Sequence, residues 1–393
     1  MIYKNFQNDK LSLLGYGCMR LPTKSDGSID EIETKRLIDY AMQNQINYFD
    51  TAYPYHGGHS ETVIAKCLKD YPRESYFLAD KFPGHQIASS YDPKIIFEDQ
   101  LKKCDVEYFD YYLLHNVYEN SIKIYKDEKW AIVDYFIEQK RQGRIKHLGF
   151  STHSGLDTMR DFLDYCGGEM EFCQIQLNYL DWTLQNAKAK CELLKEYNVP
   201  VWVMEPVRGG KLASLNEADT ARLKALRPDE SIAAWAFRFL QGIDNVTMIL
   251  SGMSNFEQLE DNLKTFNESK PLNQNELEVI LEIAEGMKDS VPCTACGYCK
   301  DGCPMGINIP ELLEMYNEIK IAPVTNITMR IDALDEDKKP SSCIGCGACS
   351  AICPQSIEIP QYLSDLVERA KKVPSWYEIS KQREEAAKRL RGE

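Results

Sequence analysis

At 393 residues the chain is longer than one average domain and leaves room for a barrel of about 250 residues followed by a smaller unit. Its composition, 44% hydrophobic and 27% charged, is that of a globular protein with a sizeable core and argues against general disorder. The formal net charge of -14 disfavours nucleic acid or an anionic membrane as a main partner, because either needs a concentrated basic patch.

The opening residues, MIYKNFQNDKLSLLG, lack the apolar core of a signal peptide. No apolar run approaches the roughly 18 residues of a membrane span, so a cytoplasmic enzyme is expected. Of the 14 cysteines, eight fall in two tight clusters, which in a cytosolic chain means metal. Cys18, Cys67, Cys104, Cys166, Cys173 and Cys191 lie in apolar segments and read as small reduced core residues; Cys18, after Gly17, is the one placed to line a pocket.

In chain order, Leu11 to Met19 reads as a strand and Asp30 to Gln45 as an amphipathic helix with acids in its first turn. The unit then repeats. Strand-like runs near Asn47, Tyr76, Tyr108, Lys146, Phe172, Val199 and Val246 are each followed by a helical run, among them His59 to Asp70, Pro93 to Asp105 and Lys129 to Gln142. Eight strand-then-helix units without hairpin signals predict a parallel eight-stranded α/β barrel over an open sheet. The helix Asn275 to Lys288 comes next, and the domain boundary is placed near Gly286. The division expected is a barrel over 1–286, a cysteine-bearing domain over 287–372 with helices at Pro310 to Ile319 and Pro360 to Lys371, and a charged tail over 373–393.

Three successive strands end in polar residues, which is where a parallel barrel builds its site. NYFDTAYPYHGGHSE carries Asp50 at a strand end and Tyr55 five residues on; the next two runs carry Lys81 and His115 near their C-terminal ends. A buried acid needs a partner, and a phenol titrating near pH ~10 serves as a proton donor when a cation lowers its pKa. Asp50, Tyr55, Lys81 and His115, within FDTAYPY, ADKFP and YLLHN, resemble the catalytic tetrad of the aldo-keto reductases, from roughly Leu11 to Phe266. The resemblance implies a (β/α)8 TIM barrel and reduction of an aldehyde or ketone by hydride from NADPH or NADH. In it Tyr55 is the general acid, Lys81 lowers the Tyr55 pKa, Asp50 holds Lys81 charged, and His115 positions the carbonyl. The alternative for each residue alone is an inert ion pair or a core histidine.

No G-x-G-x-x-G follows an early strand, so a Rossmann dinucleotide site is not supported. The family resemblance instead assigns the carboxamide grip to Ser151 in LGFSTHS and Gln174 in QIQLNY. It assigns a pyrophosphate loop to Glu205, Pro206, Val207, Arg208, Gly209, Gly210 and Lys211, and the adenosine end to Ser254, Gln258, Asp261 and Asn262. The two glycines permit close backbone approach, and Arg208 and Lys211 supply charge. Ser254 is also an acceptable helix N-cap. Many NADPH-specific members carry a basic residue where Gln258 stands, which leaves NADH open. His56 and His153 are further candidates for the substrate pocket.

Cys293, Cys296, Cys299, Cys303 and Pro304 give C-x2-C-x2-C-x3-C-P, and Cys343, Cys346, Cys349, Cys353 and Pro354 give it again. This resembles the bacterial two-cluster ferredoxins, in which the fourth thiolate of each run crosses to the other 4Fe-4S cluster. The resemblance implies one cluster on Cys293, Cys296, Cys299 and Cys353, and another on Cys343, Cys346, Cys349 and Cys303. Structural zinc also takes four thiolates but uses paired C-x2-C knuckles. A carbonyl reductase with structural or regulatory clusters ranks first. A ferredoxin-linked oxidoreductase with a redox partner protein, and a flavin for which no motif is visible, ranks second. A nucleotide-binding redox sensor with little turnover is third.

Overall fold

The computed structural model describes residues 1–85, 88–119, 121–287, 291, 293, 298–321, 325–353 and 357–374. Cys296 and the tail from 375 onward therefore lie outside the described residues. The chain divides into two compact units, Met1–Leu281 and Glu282–Glu393, and the division falls inside the helix Gln274–Met287, ahead of position 286.

The first unit opens with a hairpin of β1 (Tyr3–Phe6) and β2 (Asp9–Ser12). A closed barrel follows, made of β3 (Leu14–Gly17), β4 (Tyr48–Asp50), β5 (Phe77–Phe82), β6 (Phe109–Leu114), β7 (Ile145–Thr152), β8 (Cys173–Gln176), β9 (Val201–Met204) and β10 (Val246–Ser251). All the barrel pairings are parallel, and β10 closes the ring on β3. Helices between the strands cover the outside, and the first and third of the long ones start on side-chain caps. Asp30 accepts from Glu33 N–H before Glu31–Gln43, and Asp92 accepts from Lys94 and Ile95 N–H before Pro93–Cys104.

The single strand expected over Leu11 to Met19 is corrected to two elements and a 3-10 turn at Cys18–Arg20. The hairpin was missed because each arm is four residues long and its sequence, YKNFQNDKLS, is mostly polar. Its aromatic anchor is Phe6, which sits 5.1 Å from Trp202 and 5.0 Å from His147, ring centroid to centroid. Phe6 and Leu11 join Tyr48, Ala79, Tyr111, Leu113, Phe172, Trp202, Met248 and Leu250 in one buried cluster. Bulky interior residues fit because others are reduced to glycine. A Cβ on Gly149 of β7 would lie 2.5 Å from the Phe172 carbonyl oxygen.

Strand periodicity then aims the site. Two residues beyond Tyr48, Ala79, Leu113 and Phe172 on the same inward face come Asp50, Lys81, His115 and Gln174, at the C-terminal mouth.

At the opposite end, His147 reaches Asp9 and Glu171 at 3.3 Å each, and Glu171 also accepts from Leu148 N–H. Burial works against its charge, but the two carboxylates prevail and raise the His147 pKa to about 9. A histidine whose folded pKa is raised contributes stability that is full below its unfolded pKa and lost as pH rises through the folded one. We expect the barrel's melting temperature to fall between about pH 6.5 and 9, and His147→Leu to remove that slope; the same slope in the variant would refute the assignment.

The second unit has helices at Tyr298–Asp301, Ile309–Ile321, Thr325–Asp332, Ala348–Ala351 and Ile359–Ala370. Thr325–Asp332 was not expected. The unit also has an apolar core of its own, including Ile309, Leu312, Leu313, Tyr316, Ile319, Ile359, Leu363 and Leu366. These residues recur at helical spacing rather than in runs, which is why the sequence understated them. No helix among the described residues is long and apolar enough to cross a membrane.

Candidate active site and metal centre

Lys81 is the centre of the barrel mouth. It is wholly buried and its ammonium uses all three donors: 2.5 Å to Asp50 Oδ1, 2.6 Å to the Thr51 carbonyl and 3.4 Å to the Tyr55 hydroxyl oxygen. Burial alone would discharge it, but the Asp50 carboxylate and then Tyr55 raise its pKa. Burial pushes the Asp50 carboxyl up while Lys81 pulls it down, and the short contact between them is an ion pair. Asp50 Oδ2 is buried and has no partner among the described residues.

Tyr55 stands in a 3-10 turn, Tyr55–Gly58, where His56 has φ 52° and Gly57 φ 65°. Because Lys81 donates to its oxygen, the phenol keeps its own hydrogen for another acceptor. Burial raises the Tyr55 pKa above its ordinary value, and the Lys81 charge is the largest influence lowering it. Lys81 thus acts in the expected direction, and desolvation, which the sequence does not show, outweighs it.

His115 lies 6.1 Å from Tyr55, ring to ring. Burial, then the Lys81 charge, holds its imidazole pKa well below the usual value, so it is neutral at pH 7. Its Nδ1 is buried without a partner among the described residues. Sequence reading missed two groups that hold it. The Tyr125 hydroxyl donates to the His115 carbonyl at 2.8 Å and to the Phe82 carbonyl at 3.2 Å, tying two strand ends together. His85 places its ring 4.3 Å from that of His115.

The residues assigned to the nucleotide divide into two sets. Gln174 is 3% exposed and its Oε1 is buried with no partner among the described residues, as an acceptor awaiting an amide N–H would be. Ser151 is buried and its Oγ accepts from Asn116 N–H at 2.8 Å. Glu205, Arg208, Gly209 and Gly210 all have positive φ, making a tight loop around Pro206 and Val207. Arg208, however, is not a free charge: its Nε donates to buried Asp181 at 3.2 Å, and Asp181 also accepts from Asn178. Lys211 follows in the same loop.

At the adenosine position the expected cap at Ser254 is corrected to Asn255, whose side chain accepts from Gln258 N–H. Gln258 Oε1 returns to accept from Ser254 N–H, and Ser254 Oγ donates to the Arg20 carbonyl. Asp261 accepts from the Ser231 hydroxyl at 2.6 Å, and buried Asn262 donates to Ser251 Oγ. Of the remaining candidates, His56 accepts from Leu21 N–H, His153 is exposed, and Cys18 is buried with its thiol pKa raised by desolvation.

In the second unit Cys303, Cys343, Cys346 and Cys349 line one small pocket, with Pro304, Ile307, Ile309 and Leu363 among the other residues of its wall. The fourth cysteine of the first run therefore shares a pocket with the first three of the second. Cys293, Cys299 and Cys353 pack on the same apolar core, and Cys299 and Cys349 are 6% exposed. Four thiols around an apolar pocket suit a thiolate-held iron-sulfur centre.

Comparison with known proteins agrees with both halves. The aldo/keto reductase family profile matches residues 13–285, and the 4Fe-4S dicluster domain profile matches residues 292–358. A probable aldo-keto reductase 1 of Glycine max is 29% identical over 233 residues, 56% of this chain and 64% of that protein, so the chain spans less than two thirds of that relative. The NADH-specific methylglyoxal reductase of Escherichia coli (strain K12) is 23% identical over 286 residues, 62% of this chain and 85% of its own length. Among solved structures, the holo form of an aldo-keto reductase from Bacillus halodurans has a TM-score of 0.59 at 26% identity, covering 72% of this chain and 96% of that one. A thermostable aldo-keto reductase shares the fold, with a TM-score of 0.58 at 23% identity over 72% of this chain and all of its own. The family profile spans most of the chain, which therefore belongs to the aldo/keto reductases, oxidoreductases by family, and carries a 4Fe-4S dicluster domain toward its C-terminal end.

Proposed function

We propose that this chain reduces an aldehyde or ketone to an alcohol with a nicotinamide nucleotide, Tyr55 acting as general acid. The observation carrying this reading is the Lys81 ammonium, buried against Asp50 and 3.4 Å from the Tyr55 oxygen. A bound nicotinamide supplies hydride to the carbonyl carbon. Tyr55, its oxygen already engaged by Lys81, directs its hydrogen to the carbonyl oxygen. Neutral His115 donates to that same oxygen and fixes its direction. The unpartnered Oε1 of Gln174 and the Ser151 hydroxyl hold the carboxamide, and Gly209 and Gly210 bring backbone toward the pyrophosphate. Gln258 gives a 2'-phosphate no countercharge, which favours NADH as much as NADPH; the Escherichia coli relative is itself NADH-specific.

Two 4Fe-4S clusters are proposed on the crossed sets Cys293, Cys296, Cys299, Cys353 and Cys343, Cys346, Cys349, Cys303. Each, when bound, carries one electron at a time. The shared cavity of Cys303 with Cys343, Cys346 and Cys349 supports the crossing. Cys346 is exposed and Ile344 is 63% exposed, which favours a second reading: electron exchange with a redox partner protein, for which flavin in the purified protein would be evidence.

The test uses the intact chain, purified without oxygen, with NADH and NADPH against a panel of aldehydes and ketones. Carbonyl-dependent nucleotide oxidation is expected, and its absence with every pair would overturn the reading. In Cys303→Ala, iron per chain should fall while nucleotide affinity and helical circular dichroism of the barrel persist; unchanged iron would refute the crossed assignment.

A further inference from the structure

On the outer face of β5, directly behind Lys81, lies a buried acidic group that the proposed reaction does not use. Asp80, Glu61 and Gln100 are all fully buried. The reason for polar residues here begins in the sheet. β4 stops at Asp50, paired with Ala79, so Lys81, two residues further along β5, runs past the ladder on that side. Its main-chain groups find side chains instead. The Lys81 N–H donates to Asp80 Oδ1 at 2.8 Å, and the Lys81 carbonyl accepts from Gln100 Nε2 at 3.0 Å.

The supporting layer is itself held. Gln100 Oε1 accepts from the Tyr112 hydroxyl at 2.5 Å, and the Cys104 thiol lies 3.8 Å from Asp80 Oδ2. The Lys103 ammonium stands 3.2 Å from Glu61 Oε2 and 2.9 Å from the half-buried Asp99, over the face of Tyr53 at 4.0 Å. Two buried carboxyls thus meet one partly exposed cation. Burial, and then the neighbouring Glu61, pushes Asp80 well above the carboxylate range, and burial raises Glu61 too. Apolar side chains would fill this space at lower cost in desolvation. They would leave two buried main-chain groups of Lys81 unpaired.

We propose that Asp80, backed by Glu61 and joined by Gln100, is a positioning residue: it fixes the main chain of Lys81 so that the ammonium meets Asp50 and Tyr55 together. The proposal rests on the catalytic reading of Lys81 given above. Misplacing a catalytic group by about 1 Å costs on the order of 100-fold in rate. Asp80→Ala, which removes the acceptor for the Lys81 N–H, should therefore lower kcat by roughly 10- to 100-fold. Nucleotide affinity should stay within about twofold, since Asp80 touches no ligand. Asp80→Asn keeps the size of the side chain and an oxygen for that N–H, so it should recover most of the lost kcat.

Both variants are to be measured in the intact chain beside Lys81→Met, with kcat, KM for carbonyl and nucleotide, and melting temperature recorded. Wild-type kcat in Asp80→Ala while Lys81→Met is inactive would overturn the positioning role alone. Equal losses in Asp80→Ala and Asp80→Asn would overturn it as well. Wild-type turnover in Lys81→Met would instead remove the catalytic reading beneath it. Should Asp80→Ala not fold, Gln100→Leu withdraws only the donor to the Lys81 carbonyl; a fall in kcat is expected there too, and wild-type kcat would refute the proposal.

Discussion

Tyr55→Phe should abolish most carbonyl reduction and leave nucleotide binding nearly intact. The hydroxyl is the only atom removed. Its oxygen sits 3.4 Å from the Lys81 ammonium, whose other two donors are taken by Asp50 and Thr51, so the substitution leaves the ion pair standing. Loss of a positioned general acid costs about 10² to 10⁴-fold in rate. The fall should appear in kcat and in kcat/KM together, because the proton moves only in the transition state. Single-turnover assays with titration of the nucleotide by fluorescence separate the two effects. Turnover within about twofold of wild type would sink the general-acid role.

Lys81→Met should be the most damaging substitution in the barrel, in stability and in activity. Lys81 is wholly buried and Asp50 2% exposed, so the variant leaves a carboxylate without its cation. Breaking a buried pair on one side costs about 3 to 5 kcal/mol. The sign of the pH dependence follows from Asp50. Burial already holds its folded pKa above the ordinary value, and without Lys81, its main opposing influence, it rises further. A carboxyl whose folded pKa is raised is penalised above that pKa and relieved as pH falls through it. The variant's deficit in melting temperature should therefore be largest near pH 7 to 8 and shrink toward pH 5. A deficit that does not change with pH would show that Asp50 is not the cause. In residual activity, loss of the charge that lowers the Tyr55 pKa should move the alkaline limb of the rate profile to higher pH. An unmoved limb would make Lys81 structural only.

Much of the site was legible because strand ends announce themselves. Asp50, Lys81 and His115 each follow an apolar run by the two-residue period of a strand, and Tyr55 falls at a fixed offset in the loop. The cysteine runs were legible for another reason: iron-sulfur ligation demands its spacing locally. The side chains that support these residues left no such trace. Tyr125 and Gln100 sit on helices where they look like ordinary core or surface positions, and they act on strand ends 43 and 19 residues away. Arg208 read as a charge waiting for phosphate until Asp181, 27 residues distant, proved to hold it. The N-terminal hairpin was invisible because its arms are short and polar; only a barrel end in need of a plug gives Phe6 its purpose.

By itself, then, the sequence determined which residues recur at strand and helix periods, hence the eight-unit barrel, the polar strand ends and the two thiol runs. Those features depend on spacing of a few residues, which a chain carries before it folds. The tertiary structure decided which charges are paired, which groups are desolvated and which cysteines line one pocket. Asp50 and Lys81 are 31 residues apart and become an ion pair only when β4 and β5 lie side by side. Desolvation is a property of the closed barrel, not of any residue in it, so the net rise at Tyr55 and the neutral His115 could be decided only there. Cys303 likewise comes to line one pocket with Cys343, Cys346 and Cys349 through the folding of the second unit, a grouping that spacing alone leaves open.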